Sequence, residues 1–201
     1  MALLEKRMYT ERSFSSDYLF NQMYPLSIQK LARRHWTPVE VAEKAARFLA
    51  AEDAVRVLDI GSGIGKFCLT AAFFKPHSYF TGIEQRESLV NHANKAKEIL
   101  GLENVSFLNG NFTQLDLRDY DHFYFYNSFY ENLVGTDKID DSIDYTYGLY
   151  NYYNRYLYKQ LDLKPVGTRL ATYHSLENEV PRSYQVVGSD VESLLKYWIK
   201  I

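Results

Sequence analysis

Cysteine is almost missing from this 201-residue sequence: the only one is Cys68. A lone cysteine closes no intrachain disulfide and builds no thiolate cluster for a metal. Its neighbours, Phe67-Cys68-Leu69-Thr70-Ala71-Ala72-Phe73, are mostly apolar, which marks it as a buried thiol that packs as a small hydrophobe. The histidines, His35, His77, His92, His122 and His174, lack metal-ligand spacing, so no metal is expected. No apolar run approaches the roughly 20 residues of a membrane span. The first residues, Met1-Ala2-Leu3-Leu4-Glu5-Lys6-Arg7, lack the apolar core of a secretory leader, and the expected location is the cytoplasm. Positive charge is not in excess either. The 23 Lys and Arg against 25 Asp and Glu leave a net charge of -2, which argues against general affinity for phosphate backbones and hence against nucleic acid as a partner.

Glycine is thinly spread, with ten in the chain, and three fall in one stretch. Val55-Arg56-Val57-Leu58-Asp59-Ile60 reads as a buried strand, and Gly61-Ser62-Gly63-Ile64-Gly65 follows, leading into the apolar helical pattern around Cys68. A strand that turns through glycines into a helix leaves the first N–H groups of that helix facing whatever lies above the turn. Absence of side chains lets a ligand approach the backbone there. The spacing is not the G-x-G-x-x-G of dinucleotide sites, nor a P-loop, because Lys66 is followed by Phe67. Asp59-x-Gly61-x-Gly63-x-Gly65 resembles motif I of the class I S-adenosylmethionine-dependent methyltransferases. Ser78 to Ile83 reads as a second strand, with Glu84 just past its carboxyl end. An acidic residue about 20 positions after the glycines is placed to accept hydrogen bonds from both ribose hydroxyls.

The first fifty residues read as helical. Ser15-Ser16-Asp17 is placed to cap a short helix that Pro25 ends, and Ser27 to cap another through Ile28, Leu31 and His35. Thr37-Pro38-Val39-Glu40 predicts a helix start with Thr37 as N-cap, and Val41, Ala42, Ala45, Phe48 and Leu49 follow at helical spacing. Lys30, Arg33, Arg34, Lys44 and Arg47 make the region locally basic, best read as a solvated face. Strands and helices then alternate. Strand 3 is expected at Asn104–Leu108, strand 4 at Asp121–Tyr126 and strand 5 at Gly167–Tyr173. A closing hairpin of Tyr184–Val187 and Leu194–Ile199 turns around Gly188-Ser189-Asp190. The expected organisation is one domain, with residues 1–52 a helical cap on the substrate side and 53–201 the cofactor-binding core. From about Pro38 onward the pattern resembles the methyltransferase fold. That fold is α/β: a Rossmann-like, doubly wound, seven-stranded mixed sheet whose last strand is antiparallel.

The resemblance implies further site residues. After strand 3 the family usually places an acidic residue that binds the adenine amino group. Here Asn109-Gly110-Asn111-Phe112 puts Asn111 in that position, where an amide oxygen can accept, with Phe112 against the adenine ring. The other reading of the segment is an Asn-Gly turn. After strand 4, Tyr126-Asn127-Ser128-Phe129-Tyr130-Glu131-Asn132 occupies the motif IV position. It resembles the Asn-Pro-Pro-Tyr motif of amino-group methyltransferases without its prolines, and it is similar to the Asn-Asn-Phe segment of the non-SET histone-lysine methyltransferases. Asn127 would hold the acceptor nitrogen and touch the cofactor, while Phe129 or Tyr130 stacks over the developing cation. The cofactor set is then Asp59, Gly61, Ser62, Gly63, Gly65, Glu84, Asn111, Phe112 and Asn127, and the catalytic pair is Asn127 and Tyr130. The tyrosines of 145–158 fall on two helical stripes, Tyr145-Leu149-Tyr152-Tyr156 and Tyr150-Leu157-Leu161, one of which should pack on the sheet. His174 ends strand 5 where a cleft residue can sit.

The functional expectation is transfer of a methyl group from S-adenosylmethionine, leaving S-adenosylhomocysteine, to an amino nitrogen of a protein lysine or a small molecule, by a monomer or homodimer that needs no metal or membrane. A non-catalytic cofactor- or partner-binding module and a nucleic-acid base methyltransferase are the alternatives, and nicotinamide binding is a minor one.

Overall fold

A computed structural model describes residues 3–175 and 177–201, with side chains described from Met8 onward. Five helices come first: α1 (Leu3–Ser13), α2 (Asp17–Asn21), α3 (Leu26–Gln29), α4 (Ala32–His35) and α5 (Val39–Leu49). The alternating core follows: β1 (Arg56–Ile60), α6 (Lys66–Phe74), β2 (Tyr79–Glu84), α7 (Glu87–Leu100), β3 (Val105–Asn109), β4 (His122–Tyr126), α8 (Tyr147–Asp162), β5 (Arg169–Tyr173), β6 (Tyr184–Asp190) and β7 (Leu195–Lys200). Among the described residues, no helix is long and apolar enough to cross a membrane.

The seven strands form one sheet in the order β3-β2-β1-β4-β5-β7-β6. The first five are parallel, and β7 runs antiparallel to both β5 and β6. From β1 the chain winds outward to β2 and β3, then returns to the other side as β4 and β5. That reversal leaves a crevice over the carboxyl ends of β1 and β4, where open α/β sheets bind ligands. Successive strand residues face opposite layers. Val57 belongs to the core under α5, α6 and α7, while Leu58 and Ile60 belong to the core that includes Tyr153, Leu157 and Leu161 of α8.

The helices follow their patterning. The α5 face of Val39, Val41, Ala42, Ala45, Ala46 and Leu49 is buried. α6 is buried nearly all round, because the N-terminal helices cover its outer side: Phe14 stacks on Phe73 at 4.5 Å, and the Tyr24 hydroxyl donates to the Ile64 carbonyl at 3.0 Å. α7 ends at Gly101, whose φ of 67° suits a glycine stop.

Several local expectations are corrected. Thr37 does not cap α5. The helix begins at Val39, whose N–H donates to the Asp17 carboxylate at 2.8 Å, while the Thr37 hydroxyl is buried against the Tyr124 hydroxyl at 3.1 Å. Ser27 lies inside α3, and Pro25 holds the cap position. In α8 the buried residues are Tyr153, Leu157 and Leu161, and Tyr145 precedes the helix altogether. The final hairpin turns at Val191, Glu192 and Ser193, all with positive φ, rather than around Gly188. A register shift between Val186 and Gly188 keeps β6 paired through Asp190.

Candidate functional site

Three strand ends build the site. From β1, the glycine turn is pinned to β2: the N–H groups of Gly61 and Ser62 both donate to the Ile83 carbonyl, at 2.9 and 3.0 Å. Gly61 has φ +77°, and a Cβ there would meet the Cβ and Oγ of Ser128 at 2.5 Å. Gly63 has φ +54°, and a Cβ would meet nothing within 4 Å, so its exposed face is open to a ligand. Gly65 caps α6 with φ +80° and is backed by the ring of Phe107.

β2 delivers Glu84, which is its last residue and pairs with Asn109 of β3, one position further into the sheet than expected. Its side chain is buried. One oxygen accepts from the Gly63 N–H at 3.1 Å, and the other from the Arg86 backbone at 2.9 Å and the Arg86 guanidinium at 3.3 Å. The carboxylate thus spans from the glycine turn to the start of α7. Backbone donors and a guanidinium keep it oriented, a suitable support for a diol-binding group.

β4 delivers Asn127, with φ 51°, a conformation asparagine tolerates better than other side chains. Its Oδ1 is buried and has no hydrogen-bond partner. Buried polar atoms are nearly always paired, so an orphaned acceptor on a residue that lines a cavity is a candidate partner for a ligand donor. Ser128, which the sequence did not single out, donates to the Ile60 carbonyl at 2.6 Å and lies against Gly61, locking the β4 end to the glycine turn.

Gly61, Gly63, Glu84, Asn127 and Tyr130 line a common cavity of about 510 Å³, with Phe112 on its wall. The other predicted residues fall around it. Asp59 is buried on the opposite side of the turn and accepts from the Cys68 thiol at 3.6 Å; burial pushes its carboxyl up to about 8. Ser62 lines a smaller pocket beside Asp59, and its hydroxyl is also buried without a partner. Asn111 caps the short turn after β3: its oxygen accepts from the Thr113 N–H at 3.1 Å and the Thr113 hydroxyl at 2.9 Å, and its nitrogen donates to Tyr153. With both lone pairs engaged, the amide oxygen has no capacity left for an adenine amino group, so in this conformation it does not play the part assigned to it. Phe112 stacks on Phe129 at 5.2 Å, and Phe129 is itself buried between Phe112, Phe125 and Tyr153. Phe129 therefore packs as core while also bordering the cavity, beside Tyr130. His174 contacts the Tyr126 and Tyr173 rings rather than the cavity.

The helical N-terminal segment reaches the cavity through Arg34 and His35, and burial lowers the imidazole's proton affinity. Elsewhere it backs the glycine turn. The buried Lys66 ammonium bonds to Asp17 at 2.6 Å and Asn21 at 3.1 Å beneath the Phe20 ring. Of the locally basic residues, Arg34 pairs with Asp137, Lys44 with Glu40 and Asp190, and Arg47 with Glu43, as a solvated face does.

Beyond Ser128, sequence reasoning missed Arg86. Its guanidinium, nearly buried, contacts Glu84, Glu131, Asp140 and Tyr145 together. The only available signal was its position two residues after the ribose-type acid. Among the described residues, no group of His, Cys, Asp and Glu is arranged to hold a metal.

Comparison with known proteins bears on the fold that carries this site. Residues 51–142 match a family described as a methyltransferase domain. A tRNA (guanine-N(7)-)-methyltransferase of Microcystis aeruginosa is 50% identical over 54 residues, 27% of this chain and 26% of that protein. One from Nostoc is 36% identical over 81 residues, 40% of this chain and 36% of that protein. The matches thus span well under half of these relatives' lengths. Among solved structures, TrmN from Thermus thermophilus superposes with a TM-score of 0.60 at 21% identity, covering 87% of this chain and 52% of that one. An RNA methyltransferase from Salinibacter ruber in complex with S-adenosyl-L-homocysteine superposes with a TM-score of 0.57 at 20% identity, covering 83% and 93%.

Proposed function

Since the chain has the fold of the class I S-adenosylmethionine-dependent methyltransferases, we propose that it transfers the methyl group of that cofactor to a nitrogen of a nucleic-acid base. The observation that carries the reading is Asn127, which lines one cavity with Gly63 and Glu84 and whose Oδ1 is buried without a partner. When bound, the cofactor supplies a methyl group on a positively charged sulfur. The residues present suit it: Glu84 would accept from a ribose hydroxyl through the lone pair its Oε2 has left, Gly63 would let the backbone come close, and Phe112 would offer an apolar wall. Such an in-line displacement needs position and a dry approach more than strong acid or base. Asn127 would accept a hydrogen bond from the incoming group, and Tyr130, half-buried at the cavity, would lie alongside it.

A base nitrogen is favoured by the substrate class in the relatives' names. This reverses the expectation drawn from the charge balance. A net charge of -2 speaks to non-specific affinity along a phosphate backbone, and it does not speak to reading one base in a pocket. A free amine is the second reading, favoured by the acidic lining of the cavity, where Glu84, Glu131 and Asp137 outnumber Arg34 and Arg86. For that acceptor a proton must leave first, and His35, at the cavity with its proton affinity lowered by burial, would be the group to take it.

The test is transfer of labelled methyl into separated RNA, protein and small-molecule fractions, with Asn127→Ala as the comparison. Label in RNA, a rate nearly flat above pH 6, and a loss of about a hundredfold or more in Asn127→Ala with S-adenosylhomocysteine affinity kept would support the first reading. Label in protein or small molecules, with a rate that climbs with pH, would favour the amine. Full activity in Asn127→Ala would remove the motif IV argument.

A further inference from the structure

The segment between Asn127 and α8 is the longest connection at the site, and it forms one wall of the cavity through Tyr130, Glu131, Thr136, Ile139 and Tyr145. After a single short helical turn at Tyr130–Asn132 it has no regular structure until Tyr147. Its order comes from a few side chains. The Asn132 Oδ1 accepts from the Thr146 N–H at 3.4 Å, the Thr136 hydroxyl donates to the Tyr130 or the Leu133 carbonyl, and the Glu131 carboxylate accepts from the Ile139 N–H at 3.3 Å. At the centre stands Arg86, which comes from the other side of the cavity. Its Nη2 donates to Glu131 and to the Tyr145 hydroxyl at 2.5 Å each, its Nε to Asp140 at 3.2 Å, and its Nη1 to Glu84 at 3.3 Å. The Tyr145 hydroxyl also donates within the cluster, to Glu131 at 3.0 Å or to the Asp140 carbonyl at 2.7 Å.

One guanidinium therefore joins the carboxylate placed for the ribose to three anchors spread over fifteen residues of the cavity wall. Three carboxylates converge on a single buried cation. Without it they would repel one another at close range, leaving the segment to the Arg34–Asp137 pair, the packing of Ile139 and its local hydrogen bonds.

We propose that Arg86 is a positioning residue that latches the 131–145 wall to Glu84, so that cofactor binding and closure of the acceptor side are coupled. The proposal rests on the methyltransferase reading for the identity of the cofactor, while the latch itself is a property of this chain. A ligand that holds Glu84 in its present orientation fixes one end of the latch, and the wall that presents Tyr130 and follows Asn127 becomes harder to open. By linkage, a closed wall favours that ligand to the same degree.

The test is amide hydrogen exchange of peptides covering 131–146, with and without S-adenosylhomocysteine, alongside calorimetric measurement of its affinity. In the wild-type protein the ligand should slow exchange in this segment. In Arg86→Ala the segment should exchange about tenfold faster even without ligand, and ligand should no longer protect it. Arg86→Lys, which keeps the charge but loses the fork, should restore protection only in part. Because Arg86→Ala also disturbs Glu84, the pair Glu131→Gln with Tyr145→Phe weakens two of the three anchors on the far side of the latch and leaves Asp140 and Glu84 in place. It should reproduce fast exchange and weaken S-adenosylhomocysteine about three- to tenfold, with the melting temperature little changed. Unaltered protection in either variant would overturn the latch. If the wild-type protein binds no S-adenosylhomocysteine, the cofactor reading fails and the proposed coupling with it; the ligand-free exchange of the double variant then still reports whether Arg86 holds the wall.

Discussion

At the scale of single residues, the glycines of the turn have unlike duties, and substitution should separate them. Gly61 is packed against Ser128, where an added Cβ would lie at 2.5 Å, and its φ is +77°. Gly63 faces open space with φ +54°. Gly63→Ala should therefore cost only about 1–2 kcal/mol of stability, from the left-handed backbone, yet lower S-adenosylhomocysteine affinity about tenfold or more by filling the approach to the backbone. Gly61→Ala should destabilise more, by about 2–4 kcal/mol, because Ser128 must move as well. The double variant Gly61→Ala/Ser128→Gly should regain part of that loss, a coupling that chemical denaturation of the four-member cycle would measure. Additive effects would show that the contact carries no strain. Asn127 belongs to the same scale: its carboxamide is the one catalytic candidate left with an unsatisfied buried acceptor.

Among elements, α5 shows where sequence reasoning reaches and where it stops. Its apolar period was legible, and so were the strands, because buried β-branched and aromatic runs separated by glycine have few other readings. The cap was not. Asp17 lies 22 positions before Val39, and nothing local announces that its carboxylate will close the helix N-terminus and pair with Lys66 at 2.6 Å. The same holds at Asn111, whose sequence position suits an adenine contact but whose oxygen closes a local turn, and at Arg86, whose partners lie up to 59 residues away. The placement of the glycine turn, Glu84 and Asn127 was readable since each is fixed by a strand end. The latch was not, since it depends on how an irregular segment folds back. A prediction follows for Asp17. Asp17→Ala removes a cap and leaves a buried ammonium with Asn21 and the Phe20 and Trp36 rings but no counter-charge, so it should cost about 2–4 kcal/mol. Ser16→Ala, which loses only the cap on Leu19 of the short α2, should cost about 1 kcal/mol or less. Urea unfolding of both variants checks the order. Equal losses would mean that the N-terminal helices are held by their aromatic contacts alone.

For the molecule as a whole, stability and site share one ionisable group. Asp59 sits in the wall between the glycine turn and α6, with its carboxyl pushed up by burial to about 8, offset in part by the Cys68 thiol and reinforced by the charge of Glu84. In the unfolded chain it titrates near the ordinary aspartate value of about 4. Between those values the folded protein holds a proton that the unfolded chain has released. More protons bound in the folded state means that stability falls as pH rises. Its contribution is therefore complete below about pH 4 and has been lost once the pH has passed about 8. Asp59→Asn keeps the shape and removes the titration. Relative to wild type, its unfolding free energy should rise with pH across that window, by at most about 1.4 kcal/mol per unit, and level off above it. The same substitution should leave S-adenosylhomocysteine affinity at pH 7 nearly unchanged, because the carboxyl is already neutral there. Stability curves for the two proteins that run parallel from pH 4 to 8 would mean that Asp59 ionises normally in the folded state. The buried turn would then hold a charge whose partner lies elsewhere, and the neutral side chain inferred behind Gly61 and Gly63 would have to be given up.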